Sequence, residues 1–125
     1  MPGPHRLVVL LGLGLALAGC ALAQRVPEDG RYDGEMCVAT GSNPPSCGPV
    51  EALLSHGVAR VRVSDIVYRM FLKDGRLDMV LLHGSMQIDG FSAPYSWQQR
   101  VLQFADPDRP VRYRIRFGEP ARAPG

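Results

Sequence analysis

The chain predicts an all-β fold, a small antiparallel barrel or sandwich of about seven to eight short strands following an N-terminal signal segment. Three observations predict it. Runs rich in β-branched and aromatic residues alternate apolar and polar side chains two by two. Glycine- and proline-containing turn signals punctuate those runs at short intervals. No helical pattern is long enough to serve as the crossover of a βαβ unit.

The clearest element is the stretch Ile66 to His83, which reads as a hairpin closed by Asp74-Gly75, a dipeptide that tolerates positive φ at both central positions of a two-residue turn. That closure sets Leu72 opposite Leu77, Met70 opposite Met79 and Tyr68 opposite Leu81, which makes one face continuously apolar. The other face, with Phe71 opposite Asp78, Arg69 opposite Val80 and Val67 opposite Leu82, is mixed and implies partial cover.

Residues 1–23 read as a signal segment: Arg6 in a short head, an apolar run from Leu7 to Ala18 broken by Gly12 and Gly14, then small residues. The run is shorter than the roughly 20 residues that span a bilayer. Two cuts compete. Ala21-Leu22-Ala23 before Gln24 satisfies the small-x-small rule, whereas Leu17-Ala18-Gly19-Cys20 resembles the lipobox of bacterial lipoproteins. The resemblance implies cleavage before Cys20, a diacylglycerol on its sulfur and, with Ala21 following the cysteine, sorting to the outer membrane. The chain would then face the periplasm, the alternative being a soluble periplasmic or secreted protein. Either cut leaves Cys37 and Cys47 as an even pair in an oxidising compartment, and the turn residues Gly41, Pro44 and Pro45 between them allow a disulfide. So short a loop contributes somewhat under ~3 kcal/mol on the chain-entropy estimate. A metal site lacks ligands, since His56 and His83 are the only histidines beyond the signal segment.

Beyond residues 24–30, a polar tether, one β domain occupies residues 31–118, followed by a flexible tail over 119–125. Tyr32, Met36 and Val38 share the inward parity of a first strand. Residues 49–57 fit a two-turn helix or, better, the first arm of a hairpin turning at His56-Gly57, with Leu54 opposite Ala59, Ala52 opposite Val61, Val50 opposite Val63 and Glu51 opposite Arg62. The apolar parity changes between Ser64 and Asp65, which predicts a bulge or corner there. Met86 and Ile88 alternate with polar neighbours until Gly90 breaks the strand. Ala93 to Phe104 resembles a hairpin turning near Gln98-Gln99, with Tyr95 opposite Leu102 and Ala93 opposite Phe104. After the turn Asp106 to Pro110 comes the cleanest strand: Val111, Tyr113, Ile115 and Phe117 on one side, Arg112, Arg114 and Arg116 on the other.

Composition narrows the function. With Arg6 gone, 13 basic residues face 12 acidic ones, so net charge identifies no partner, although the front of the domain is acidic and the back basic. His83-Gly84-Ser85 is not a nucleophile elbow, and no partner that would orient His56 or His83 as a base is evident. Asp65 and Asp89 are the best carboxylates for acid–base hydrolysis, but turn formation accounts for both, Asp89-Gly90 being an ordinary turn dipeptide. Tyr95 and Trp97 share the core parity. The candidate interaction surface is therefore Arg112, Arg114 and Arg116, a row of guanidinium groups ~7 Å apart by the strand rise. Such a row can grip carboxylates or phosphates, or else merely solvate the sheet, paired with Glu35 or Glu51. Export makes nucleic acid an improbable target. The expectation is an exported lipoprotein with a non-catalytic binding or structural role toward an envelope protein or anionic polymer, without catalytic residues, metal or cofactor. A barrel carrier of an apolar ligand is the alternative, and an envelope hydrolase comes third. The many large apolar residues, Met70, Met79, Met86, Phe71, Phe91 and Leu81, favour a packed interior over a hollow one.

Overall fold

The computed structural model describes residues 25–121, so the lipobox and Cys20 lie outside the described residues. Eight strands run up and down: β1 (Gly30–Thr40), β2 (Ser46–Ser55), β3 (Val58–Val63), β4 (Ile66–Leu72), β5 (Arg76–His83), β6 (Met86–Gln98), β7 (Val101–Ala105) and β8 (Val111–Pro120). Each pairs with the next, and β1 pairs with β8, so the sheet closes into an antiparallel barrel rather than a sandwich. Closure leaves no free edge.

Period-two alternation decides what fills the barrel. Met36, Ala52, Ala59, Val61, Met70, Leu77, Met79, Leu102, Ile115 and Phe117 point inward and are buried. At roughly 25 cal/mol per Å² of apolar surface removed from water, this interior is the main stabilising term. The small Ala59 lies in register between the larger Leu54 and Met70, and the small Ala52 lies across from Val61, so small and large side chains alternate across β2, β3 and β4. Met86 and Phe71 depart from the packed-interior expectation: Met86 is 67% exposed at the start of β6, and Phe71 sits opposite Asp78 on the outer face.

The β4–β5 hairpin has the expected register at every pair from Ile66–His83 to Leu72–Leu77. Its turn differs in detail. Among Lys73, Asp74 and Gly75 only Gly75 has positive φ, and Lys73 N–H donates to the Arg76 carbonyl. The hairpin reading of residues 49–63 is the one observed, with Glu51–Arg62, Ala52–Val61 and Leu54–Ala59 paired, the ladder ending one pair short of Val50–Val63.

Three expectations need correction. The parity change at Ser64 and Asp65 is no bulge or corner within a long strand. Those residues form a tight turn with Ser64 at φ 57°, which reverses the chain and sets Val63 opposite Ile66 on one face. Gly90 does not break the chain either. β6 runs through it, and the register slips between Leu81–Asp89 and Leu82–Gln87, which leaves Ile88 as the extra residue of a bulge, 51% exposed. Finally, the β6–β7 turn lies at Gln99-Arg100, so Tyr95 faces Phe104 and Trp97 faces Leu102. Both turn residues have positive φ, which costs a non-glycine residue energy that Arg100 recovers from its contacts: its Nε and Nη2 donate to the Phe117 and Gly118 carbonyls at 2.9 and 2.7 Å.

The two ends of the barrel differ. At one, residues 25–29 are not a loose tether. Pro27 is buried, the Arg25 carbonyl accepts from Arg100 N, the Asp29 carboxylate accepts from His56 N, and Tyr32 donates to the Glu28 carbonyl. Arg100 stacks over the Tyr32 ring at 5.2 Å, and Trp97 meets Phe117 edge to face. The expected tail over 119–125 is also tied down in part: β8 continues to Pro120, and Ala121 N donates to the Arg31 carbonyl. The opposite end carries the turns after β1, β3, β5 and β7.

Closing the ring demands close backbone approach between β1 and β8. A Cβ at Gly34 would lie 2.6 Å from the Arg116 carbonyl oxygen, and one at Gly118 would strike the Asp33 carbonyl. Gly118→Ala or Gly34→Ala should each destabilise by about 1–3 kcal/mol, the usual cost of forcing atoms into a packed site. Gly48→Ala, where an added Cβ meets nothing within 4 Å, should stay within about 0.5 kcal/mol. Urea unfolding of the three variants is the check.

Candidate anion-binding surface

The arginine row sits where its alternation placed it. β8 buries Ile115 and Phe117 and turns Arg112, Arg114 and Arg116 outward, all exposed. What the row can do depends on the neighbouring strands. In register, Arg112 lies between Ala39 of β1 and Ala105 of β7, Arg114 between Cys37 and Gln103, and Arg116 between Glu35 and Val101. Two alanines beside Arg112 leave the surface low there. The result is an open groove of about 430 Å³ lined by the polar Arg112, Arg114 and Gln103 together with Cys37, Pro45, Phe104 and Tyr113.

The disulfide helps build that groove. Cys37 and Cys47 are bonded, and they are direct cross-strand partners on β1 and β2. The bridge therefore clamps the β1–β2 connection beside the groove and holds Pro45 in place.

Among the described residues, no carboxylate stands within ion-pair distance of Arg112, Arg114 or Arg116. The expected pairing with Glu35 or Glu51 is not made. Glu35 is in register with Arg116 without bridging to it, and Glu51 lies opposite Asp33 and Arg62, in a second open groove of about 550 Å³. Three adjacent guanidinium groups thus keep their donors available to solvent or to an anionic partner.

The weighed carboxylates are elsewhere and are not brought together. Asp65, in the turn before β4, accepts from Nε2 of His83, the last residue of β5, at 2.8 Å, a partner the sequence did not reveal. That hydrogen bond is the main reason the Asp65 carboxyl lies below its ordinary value. Asp89, inside β6 rather than in a turn, bonds Gly90 N and forms a 2.7 Å ion pair with Arg109. A general acid for glycoside hydrolysis needs a raised carboxyl, and both shifts run the other way. Trp97 and Tyr95 pack against the core, Tyr95 donating to the Lys73 carbonyl at 2.7 Å.

Asp89 yields a pH prediction. The Gly90 amide first, then Arg109, hold its carboxyl below the ordinary value of 3.8, with burial opposing. A folded-state value below the unfolded one gives stability that is whole above the unfolded value and is lost as pH falls through the folded one. Urea midpoints taken from about pH 5 to about pH 2 should decline, and decline less steeply in Asp89→Asn. Equal slopes would remove Asp89 from the acid response.

No protein-family model matches the chain, and no curated protein matches it either.

Proposed function

We propose that this is an exported envelope protein, held to the outer membrane by lipid on Cys20, whose barrel binds an anionic partner without catalysis through Arg112, Arg114 and Arg116. A small β-barrel is compatible with a binding or carrier role. The observation that carries the reading is the row of exposed arginines without carboxylate partners among the described residues, set along a groove. Bidentate guanidinium contacts recognise carboxylates and phosphates alike, and a row spaced by alternate strand residues suits a repeating polyanion better than a single small anion. The address rests on the Leu17-Ala18-Gly19-Cys20 pattern and on a bridged cysteine pair suited to an oxidising compartment.

The carrier alternative fits the interior less well. Ala59, Val61, Met70, Leu77, Leu102, Ile115 and Phe117 are fully buried, and their packing leaves the middle of the barrel to side chains rather than to an apolar guest.

Mass spectrometry of the mature N-terminus checks the address, with a diacylated Cys20 expected and a free Gln24 the contrary result. For the surface, polyphosphate and polyglutamate serve as probes. Changing all three arginines to glutamate should weaken binding of at least one of them by tenfold or more, and salt should weaken the unmodified protein, as expected for solvent-exposed charges screened over about 10 Å at 0.1 M. Binding unchanged by the triple substitution would eliminate the row.

A further inference from the structure

The arginine row is not uniform along its length. Arg112 and Arg114 line the groove beside β8, whereas Arg116 does not. Glu35 stands in register with Arg116, and its carboxylate lies 4.0 Å from the sulfur of Cys37. At the opposite end of the row, the Asp106 carboxylate is engaged by the amides of Asp108 and Arg109. No carboxylate lines the groove itself, so an anionic group is best matched at Arg112 and Arg114.

Apart from Gln103, the rest of the lining is apolar. Ala39, Pro45 and Ala105 flank the two guanidinium groups, and Cys37, Tyr113 and the nearly buried Phe104 complete the surface. Pro45 and Ala105 are exposed and Ala39 is half-buried, so a ligand can reach this apolar surface from solvent. The volume of about 430 Å³ falls within the range of small-molecule sites, roughly 300–1,000 Å³.

Resting on the reading of the row as an anion site, we infer that the groove takes an amphiphilic anion: a phosphate or carboxylate held by Arg112 and Arg114, with an aliphatic arm laid over Ala39, Ala105 and Pro45. The row alone would accept any polyanion; the apolar lining adds the preference for an arm. An acidic peptide fits less well. It would bring one N–H per residue, and the only strong acceptors among the lining side chains are the Gln103 amide oxygen and the Tyr113 hydroxyl. The closed barrel also offers no free edge to which a peptide could add as a strand. An aliphatic arm asks for no such partners.

The mature protein carrying Cys20→Ala, which needs no detergent, is titrated calorimetrically with hexyl phosphate, hexanoate, methyl phosphate, hexanol, polyphosphate and a blocked peptide of alternating glutamate and leucine. A methylene taken fully out of water is worth about fourfold in affinity, so even a partly covered arm should make hexyl phosphate or hexanoate bind about tenfold or more tightly than methyl phosphate. Hexanol, lacking the charge, should not saturate. Ala39→Gln/Ala105→Gln should remove the advantage of the arm while polyphosphate still binds, which also shows the variant to be folded. Polyphosphate binding with no gain from either hexyl anion would overturn the inference and leave the anion site standing; no binding of any anion would remove both. A gain that survives the double variant, or binding of the peptide in place of the hexyl anions, would overturn it as well.

Discussion

Pairing of the first strand with the last is the constraint on which everything else in this molecule depends. Without β1 against β8 the sheet would expose two long edges, one of them the arginine-bearing strand. With it, one parity of each strand packs into the interior and the other faces outward, so alternation along the chain becomes inside and outside in space. The closure is tight enough that Gly34 and Gly118 leave no room for a side chain against the opposing carbonyls. It also makes the candidate surface, because Ala39 and Ala105 reach opposite sides of Arg112 only when β8 lies between β1 and β7.

Closure leaves two ends to be finished, and they are finished differently. One is sealed by the N-terminal segment, by Trp97 against Phe117 and by Arg100, whose guanidinium caps two β8 carbonyls while stacking on Tyr32. At the other, the rings of Tyr68, Phe91, Phe104 and Tyr113 pack on one another, and Arg109 in the turn after β7 is paired with Asp89. Seven fully buried large side chains between the two ends keep them from communicating through a hollow lumen.

Much of this was legible in the residues. Period-two alternation identified the fold class, the whole register of β4 with β5, and the outward row on β8, because in those strands local pattern and tertiary burial agree. Turn chemistry was the weaker guide. Gln99-Arg100 carries none of the usual residues for a turn with two positive φ angles, and what stabilises it is a guanidinium bonded to a strand that follows in sequence. Asp89-Gly90 looked like a turn and lies inside β6, where a bulge at Ile88 lets the carboxylate turn to Arg109. The site divided in the same way. Alternation revealed the arginines, but the groove beside them, the His83–Asp65 contact and the contact of Tyr68 with Tyr113 are made by residues that only the barrel brings together.

Amide hydrogen exchange along β1 tests the closed ring most directly. Successive amides of a strand point alternately to its two neighbours, so in a closed barrel all of those from Glu35 to Val38 are bonded, alternately to β2 and to β8. The account predicts uniformly slow exchange over that stretch, comparable to β4 and β5. Fast exchange at every second amide would show β1 to be a free edge and would contradict it.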